Sequence, residues 1–426
     1  MFSPALAHIL LALIVGISIL LMLIRPRNTP EVYWVGGGVI LLLTLRLISL
    51  QLAGRAAAKA VDICLFLIGM MLLSELAREH GVFDWLSSVA VRKANGSCSK
   101  LFALVYAAGT VVTIFMSNDA TAVVLTPAIL TAVRRAKVEP LPYLFVCALI
   151  ANAASFLLPI GNPANLVVFH NQMPPLGRWL LAFGIPCLLS IGSTYVVMRW
   201  LFRKQLRAAI ECEVQETTLT TNGRLVLSGL AMMVVALFIA SSLGKDLGLP
   251  TCLVAMVITT VVSIKARCNP LRLARKISWS TLALVAGLFV MVDAMESIGS
   301  MQVTREWLIC AQSLGTAVGT LITGFAVGVA NNLVNNLPLG LIAGSTLQAA
   351  HIKGLIANAL LIGIDLGPNL SITGSLATIL WLIALRKEKL EVSFWSFLKV
   401  GAVAMPVALL TSLLGSIAMQ TWLGIS

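Results

Sequence analysis

The chain has 426 residues, 59% hydrophobic and 11% charged, with a formal net charge of +13. Soluble domains carry about 25% charged residues, so this composition excludes a soluble enzyme and calls for a polytopic membrane protein. In such a chain, surplus Lys and Arg mark cytoplasmic loops rather than a nucleic-acid surface, and the expected partner is the lipid bilayer, with no nucleic acid.

The first apolar run, 5–24, is long enough to span and lacks the basic flank of a cleaved leader. Runs at 34–52 and 61–77 follow. Residues 101–117 lead into Ser117-Asn118-Asp119-Ala120-Thr121, and 121–133 lead out to Arg134 and Arg135. A helix over 121–133 reaches about 20 Å at ~1.5 Å per residue, short of a ~30 Å bilayer core. The spacing therefore predicts a re-entrant hairpin over 101–133. A ninth span, 143–170, is interrupted by Pro159, Gly161, Asn162, Pro163 and Asn165. Proline removes a backbone donor and breaks the helix, and irregular backbone at membrane depth must be buried in protein or line a cavity.

A span at 179–201 leads to the longest polar stretch, 203–224, where Glu211, Glu213 and Glu216 read as a solvated face. Spans at 225–243, 250–264 and 279–297 follow. The run 313–345, with NNLVNN at 331–336, reads as a second hairpin. The span at 354–385 is interrupted over 364–375, and the last span is 397–420. The expected fold is an all-α polytopic membrane protein of about ten transmembrane helices and two re-entrant hairpins, with broken helices at the midplane.

Of the 30 Lys and Arg, 23 fall on one side if the N-terminus is outside, six on the other, and Arg46 within a span. That asymmetry orients the chain with both termini periplasmic. The halves also resemble one another. LIANA occurs at 149–153 and 355–359; Gly69, Glu75 and Gly81 match Gly287, Asp293 and Gly299; Asn118-Asp119 matches Asn335-Asn336. With the orientation above, the matching spans run in opposite directions. The expected organisation is an N-terminal repeat (1–202), a cytoplasmic linker (203–224) and an inverted C-terminal repeat (225–426). Inverted repeats with a broken helix in each are the mark of a carrier with a midplane site.

The chemistry-bearing residues lie at these interruptions. Asn118, Asp119 and Thr121 form the first hairpin tip, where Asn and Asp can also cap the following helix. Gly161, Asn162 and Asn165 lie in the first break, suited to oxygen-bearing groups. Asn335 and Asn336 are the strongest of the four tip amides in the second hairpin. In the second break Asp365 precedes Gly367-Pro368-Asn369, and Ser371, Thr373 and Ser375 follow. An acid inside an apolar span is costly unless it serves a proton or cation, so Asp119 and Asp365 are the candidate proton carriers. Glu75 and Asp293 read as interfacial acids, with Arg78 a possible partner for Glu75. Eight scattered cysteines without a CxxC, and four histidines, give no reason to expect a metal, a cofactor or disulfides. Cys147 and Cys187 read as packing. No P-loop, HExxH or GxSxG is present, so neither an ATPase nor another enzyme is expected.

FMSNDATAVVLTP (115–127), NNLPLGLIAG (335–344) and above all IGIDLGPNLSITGSLATILWL (362–382) resemble the arsenite efflux permeases of the ArsB type, within the ion transporter superfamily. The resemblance covers nearly the whole chain. It implies export of arsenite or antimonite across a bacterial inner membrane, driven by the proton gradient or by a docked cytosolic ATPase subunit stimulated by arsenite. It places the family's hairpin Asn-Asp on Asn118 and Asp119, its second tip on Asn335, Asn336 and Pro338, and its Asp-Leu-Gly-Pro on Asp365 to Pro368. The chain departs from the family at Asn152, where an acid is expected, and at PIGNP (159–163). Two alternatives stand beside this reading: a sodium/proton or organic-anion carrier of the same superfamily, and a passive membrane subunit of an ATPase-driven pump.

Overall fold

The computed structural model describes residues 3–170, 173–208, 210, 218–267 and 269–423. Glu211, Cys212, Glu213, Glu216 and Cys268 lie outside the described residues. The described part is all-helical, and the protein is a multi-pass membrane protein. Eight helices are long and apolar enough to cross a membrane, or nine if one bent pair counts as a single span.

The N-terminal half comprises α1 (Pro4–Ile24), α2 (Glu31–Thr44), α3 (Leu50–Lys59), α4 (Val61–Glu79), α5 (Val82–Lys93), α6 (Cys98–Phe115), α7 (Thr126–Arg135), α8 (Leu141–Ala153), α9 (Pro163–Val168) and α10 (Leu176–Leu201). The C-terminal half comprises α11 (Thr221–Ser242), α12 (Gly248–Ala266), α13 (Leu271–Lys276), α14 (Trp279–Ser297), α15 (Met301–Ser313), α16 (Thr316–Val334), α17 (Asn336–Ala350), α18 (Leu355–Leu366), α19 (Leu376–Lys387) and α20 (Phe394–Leu423).

The helix expected over 34–52 stops at Thr44. Arg46 takes a left-handed backbone conformation (φ 55°), and Ser49 starts α3 by accepting from the Leu52 amide at 3.1 Å. Arg46 therefore sits in a connection rather than inside a span. The helix α3 buries Ala53 and Ala56 and meets α4 at a 43° bend. The charged stretches expected as plain loops after α4 and α14 contain α5 and α15, short helices with apolar and polar faces.

The first arms of the two hairpins, α6 and α16, are each long enough to cross a membrane on their own. Between α6 and α7 the chain turns at Met116–Ser117, and Ala120–Leu125 forms a π-helical segment. The length argument for re-entrance thus fails at the first arms. Ser117 and Asp119, at the turn after α6, share a cavity with Phe66, Met70 and Ser74 of α4.

The broken helices form the centre. Every residue of α8 from Pro142 to Ala153 is buried, as is every residue of α18 except Asn358. LIANA closes α8 but opens α18, so the shared pentapeptide does not mark equivalent positions. Asn162 and Ser375 are the N-caps of the half-helices α9 and α19. Lipid tails offer no hydrophobic drive between helices, so close contact relies on small residues. A Cβ on Gly363 would meet the Gly324 carbonyl, and one on Gly367 the Gly328 carbonyl, which locks α18 against α16. Gly69 likewise admits the backbone of Thr251, joining α4 to α12.

Candidate functional site

A broken helix exposes carbonyls that must find donors inside the protein. At the first break the Asn165 amide donates to the carbonyls of Ser155 (3.0 Å), Leu158 (3.4 Å) and Pro159 (3.3 Å). The Trp179 indole donates to the Phe156 carbonyl at 3.1 Å. At the second break the donors come from the neighbouring hairpin. Asn331 donates to Ile364 at 2.8 Å, Asn332 to Gly367 at 3.0 Å, and Asn335 to Thr373 at 3.3 Å. Ser371 donates to the Asn332 side chain at 2.7 Å. The amide-rich tip therefore splices the second break, and Asn335, expected to meet a solute, commits its nitrogen to backbone.

Asp365 is fully buried at the end of α18. Its Oδ1 accepts from the Asn162 amide at 2.7 Å and its Oδ2 from the Ser155 hydroxyl at 2.8 Å. Both donors belong to the first break, so the carboxylate bonds the two broken helices together. Asn162 also accepts from the Ala164 amide at 3.1 Å, capping α9. Beside this pair, Asn152 donates to Asn369 at 2.9 Å, and Asn369 donates to the Leu149 carbonyl at 3.1 Å. Asn152 lies at the end of α8 as Asp365 lies at the end of α18; each bonds into the opposite break. Gly161 admits the Ser155 carbonyl where a Cβ would collide.

The first hairpin tip is a separate group. Asn118 accepts from the Asp119 amide at 2.9 Å, and Thr121 pairs with Thr113 at 2.8 Å. These bonds brace the tip. Asp119 lines a cavity of about 410 Å³ with Phe66, Met70, Pro163, Thr281 and Leu376. The cavity thus touches the starts of both half-helices, α9 and α19. Arg25, Glu31, Glu75 and Lys276 also line it, and Arg25–Glu31 (2.6 Å) and Lys276–Glu79 (3.1 Å) are ion pairs. Asp365 is not among the lining residues.

A second cavity, about 480 Å³, lies at the other end of α4, lined by Arg55, Lys59, Asp62, His170 and Asp246 among others. Lys59 pairs with Asp293 at 2.7 Å, joining the α3 end to α14. Burial, and then the Lys59 charge, hold the His170 imidazole below its ordinary value, against the pull of Asp246 and Asp293. Glu75 pairs with Arg78. Ser375 caps α19 by accepting from Thr378 at 3.1 Å, and Asn336 is buried at the second tip.

The structure thus brings Asn162 and Asp365 together, with Gly161 and Asn165 shaping the same break, and keeps Asp119 apart from them. Sequence reasoning missed Ser155, Asn331 and Asn369 as neighbours of Asp365. Their signal is polarity inside otherwise apolar spans, which is overshadowed there by the acids.

A family model described as citrate transporter (CitMHS) matches residues 5–364. The arsenical pump membrane protein of Escherichia coli (strain K12) is 26% identical over 363 residues, covering 81% of this chain and 83% of the relative. The protein of the same description from Yersinia enterocolitica is 25% identical over 367 residues, with the same coverage. Among solved structures, the Alcanivorax borkumensis YdaH transporter, described as having an unusual topology, aligns with a TM-score of 0.59 at 16% identity over 89% of each chain. That likeness concerns the fold alone.

Proposed function

The chain belongs to the citrate transporter (CitMHS) family of membrane transporters, and from that premise we propose that it is a secondary carrier exporting arsenite or antimonite in exchange for protons by alternating access. The description of its relatives as arsenical pump proteins supports the substrate. The observation that carries the coupling is Asp365, an enclosed carboxylate held by two donors from the opposite break. Protonation turns one carboxyl oxygen into a donor. A proton on Oδ1 sets that oxygen donor to donor against the Asn162 N–H, whereas a proton on Oδ2 only reverses the Ser155 bond, the hydroxyl then accepting from Asp365 and donating to the Asn152 carbonyl at 2.8 Å. Proton binding at Oδ1 thus breaks the Asn162 link, and proton binding at Oδ2 reverses the Ser155 link, so the proton changes how the broken helices are bonded. Asp119, open to the first cavity, relays the proton to and from water. Asn165, Asn335 and Asn336 serve the solute through their oxygens, with Asn118, Asn162, Thr121, Gly161, Ser371 and Ser375 shaping the path.

The proposal includes two inverted repeats, a bacterial inner membrane, and both termini in the periplasm. The first cavity then opens to the cytoplasm. Arsenous acid is neutral near pH 7, so the membrane potential alone cannot drive it, and export driven by proton flow needs a protonatable residue. The test is arsenite flux in proteoliposomes of the purified chain under an imposed proton gradient. Flux that collapses with an uncoupler and falls at least ~100-fold in Asp365→Asn is expected for loss of a group used at the rate-limiting step. Flux that needs a soluble ATPase would make the chain a pump subunit. The family description favours one second reading, an organic-anion carrier. Sodium-dependent citrate flux without arsenite flux would establish it.

A further inference from the structure

The first cavity has a small neighbour. A chink of about 20 Å³, room for about one water, is lined by Glu31, Leu284, Leu288, Asn335, Leu337 and Leu376 among others. Glu31, Leu284 and Leu376 also line the cavity of about 410 Å³ that holds Asp119. These three side chains therefore stand between that cavity and Asn335 at the second hairpin tip. The two leucines suit an apolar partition. A carboxylate among them is costly unless it serves a purpose.

Arg25 holds that carboxylate. Its Nη2 lies 2.6 Å from Glu31 Oε1, and the two side chains are 20% and 13% exposed. The contact is one of charge rather than of aligned hydrogen bonds, since Glu31 Oε1 and Arg25 Nε have no hydrogen-bond partner among the described residues. Bidentate, well-aligned pairs are the strong ones, so this pair is able to release. The backbone beneath it is braced. Arg25 and Arg27 take left-handed conformations (φ 49° and 55°), and Pro26 and Pro30 fix two further φ angles. The Thr29 hydroxyl donates to the Pro26 carbonyl at 2.8 Å, and the Trp34 indole to the Thr29 hydroxyl at 2.9 Å. A cation at the end of α1 and an anion at the start of α2 also suit the two helix dipoles. That role alone does not require both side chains to share the cavity wall.

We propose that Arg25 and Glu31 form a latch that closes the way from the first cavity to the second hairpin tip and opens when the pair separates. For what passes the latch, this rests on the export reading: the solute enters the cavity beside Asp119 and reaches Asn335 only once Glu31 has swung out of the chink. The braced connection stays in place and two side chains move. Both residues act on access to the path, not on the solute, and are positioning residues.

The experiment is labelling of the purified full chain in detergent with a water-soluble maleimide, read by mass spectrometry of the peptide that carries a new cysteine. Leu337→Cys places that cysteine on the chink, and Val123→Cys places it on the first cavity alone. Glu31→Gln and Arg25→Gln are each expected to speed labelling of the chink cysteine about tenfold, as a tenfold larger open population would, and to leave the cavity cysteine unchanged. Exchanging the charges, Arg25→Glu with Glu31→Arg, is expected to bring the chink cysteine back toward its slow rate. An unchanged chink rate in both single variants would overturn the latch. So would an equal rise at the cavity cysteine, which marks general loosening. Leu288→Cys, on the same chink, takes the place of Leu337→Cys if that variant does not fold. Arsenite flux is expected to fall in the single variants and recover in the exchanged pair, and unchanged flux in both single variants would overturn the latch's part in transport. If the wild type moves no arsenite while the labelling pattern holds, the latch stands and the export reading falls.

Discussion

Asn162 performs two tasks with one side chain, its oxygen capping α9 and its nitrogen holding Asp365. Asn162→Ala removes both. The cap is worth about 1 kcal/mol and a bond to a charged acceptor about 1.5–3 kcal/mol, so a loss of about 3 kcal/mol is expected in thermal or denaturant unfolding. Asn162→Asp keeps the cap but sets a second carboxylate against Asp365. Its fold should survive better than its transport, and unchanged transport in this variant would show that the cap alone matters. His170 offers a separate test. Folding lowers its proton affinity, so its contribution to stability is complete above the unfolded value of about 6.5 and declines as pH falls through it. Lys59→Met removes one of the two causes and should raise the His170 titration, read by NMR of labelled histidine. Arg55, Asp62, Asp246 and Asp293 still face the group, and an unmoved titration would mean that Lys59 is not felt.

At the scale of elements, the second hairpin and the second break are one body. Gly324 and Gly328 of α16 meet Gly363 of α18 and Gly367 just after it backbone to backbone, and three tip amides close the break. Gly363→Val forces a side chain into that contact at a cost of about 1–3 kcal/mol, and should lower both melting temperature and flux. Both breaks were legible in the sequence because Pro, Gly and Asn grouped inside an apolar run stop a helix and leave polar backbone that lipid cannot satisfy. The stop at Thr44 was not. The segment 45–52 is apolar enough to continue a helix, and only the left-handed turn at Arg46 ends it. The surface helices α5 and α15 were missed because amphipathic patterns of a dozen residues next to spans read as charged loops. LIANA misled for a related reason. In a chain this apolar, five matching letters can recur at unlike places, here the end of α8 and the start of α18.

For the whole molecule, the two candidate acids differ in access. Asp119 opens on a cavity shared with α4 and α14, while Asp365 is sealed between the broken helices. At the other end of α4 the Lys59–Asp293 pair ties the α3 end to α14. An exposed pair of this kind contributes about 0–1 kcal/mol to stability, yet 1 kcal/mol moves a two-state population roughly fivefold. Lys59→Met is therefore expected to leave the melt nearly unchanged while a cysteine at Leu166, lining the second cavity, reacts up to about fivefold faster with a water-soluble maleimide. An unaltered labelling rate would show that this pair does not gate that end.

The π-helical segment Ala120–Leu125 has a consequence for how the chain tolerates being lengthened or shortened. Its wide turn is signed by the Thr126 hydroxyl bonding back five residues to the Thr121 carbonyl at 3.1 Å. A wide turn stores one residue more than an α-turn does. Removing one residue inside 120–125 takes up that slack, so α7 keeps its facing and Arg134 can still reach Glu388, its partner beyond α19 at 2.9 Å. Removing one residue within α7 before Arg134 has no slack to draw on and swings Arg134 by about 100° around the axis. Two deletions of equal size, a few positions apart, should therefore yield one working transporter and one broken one.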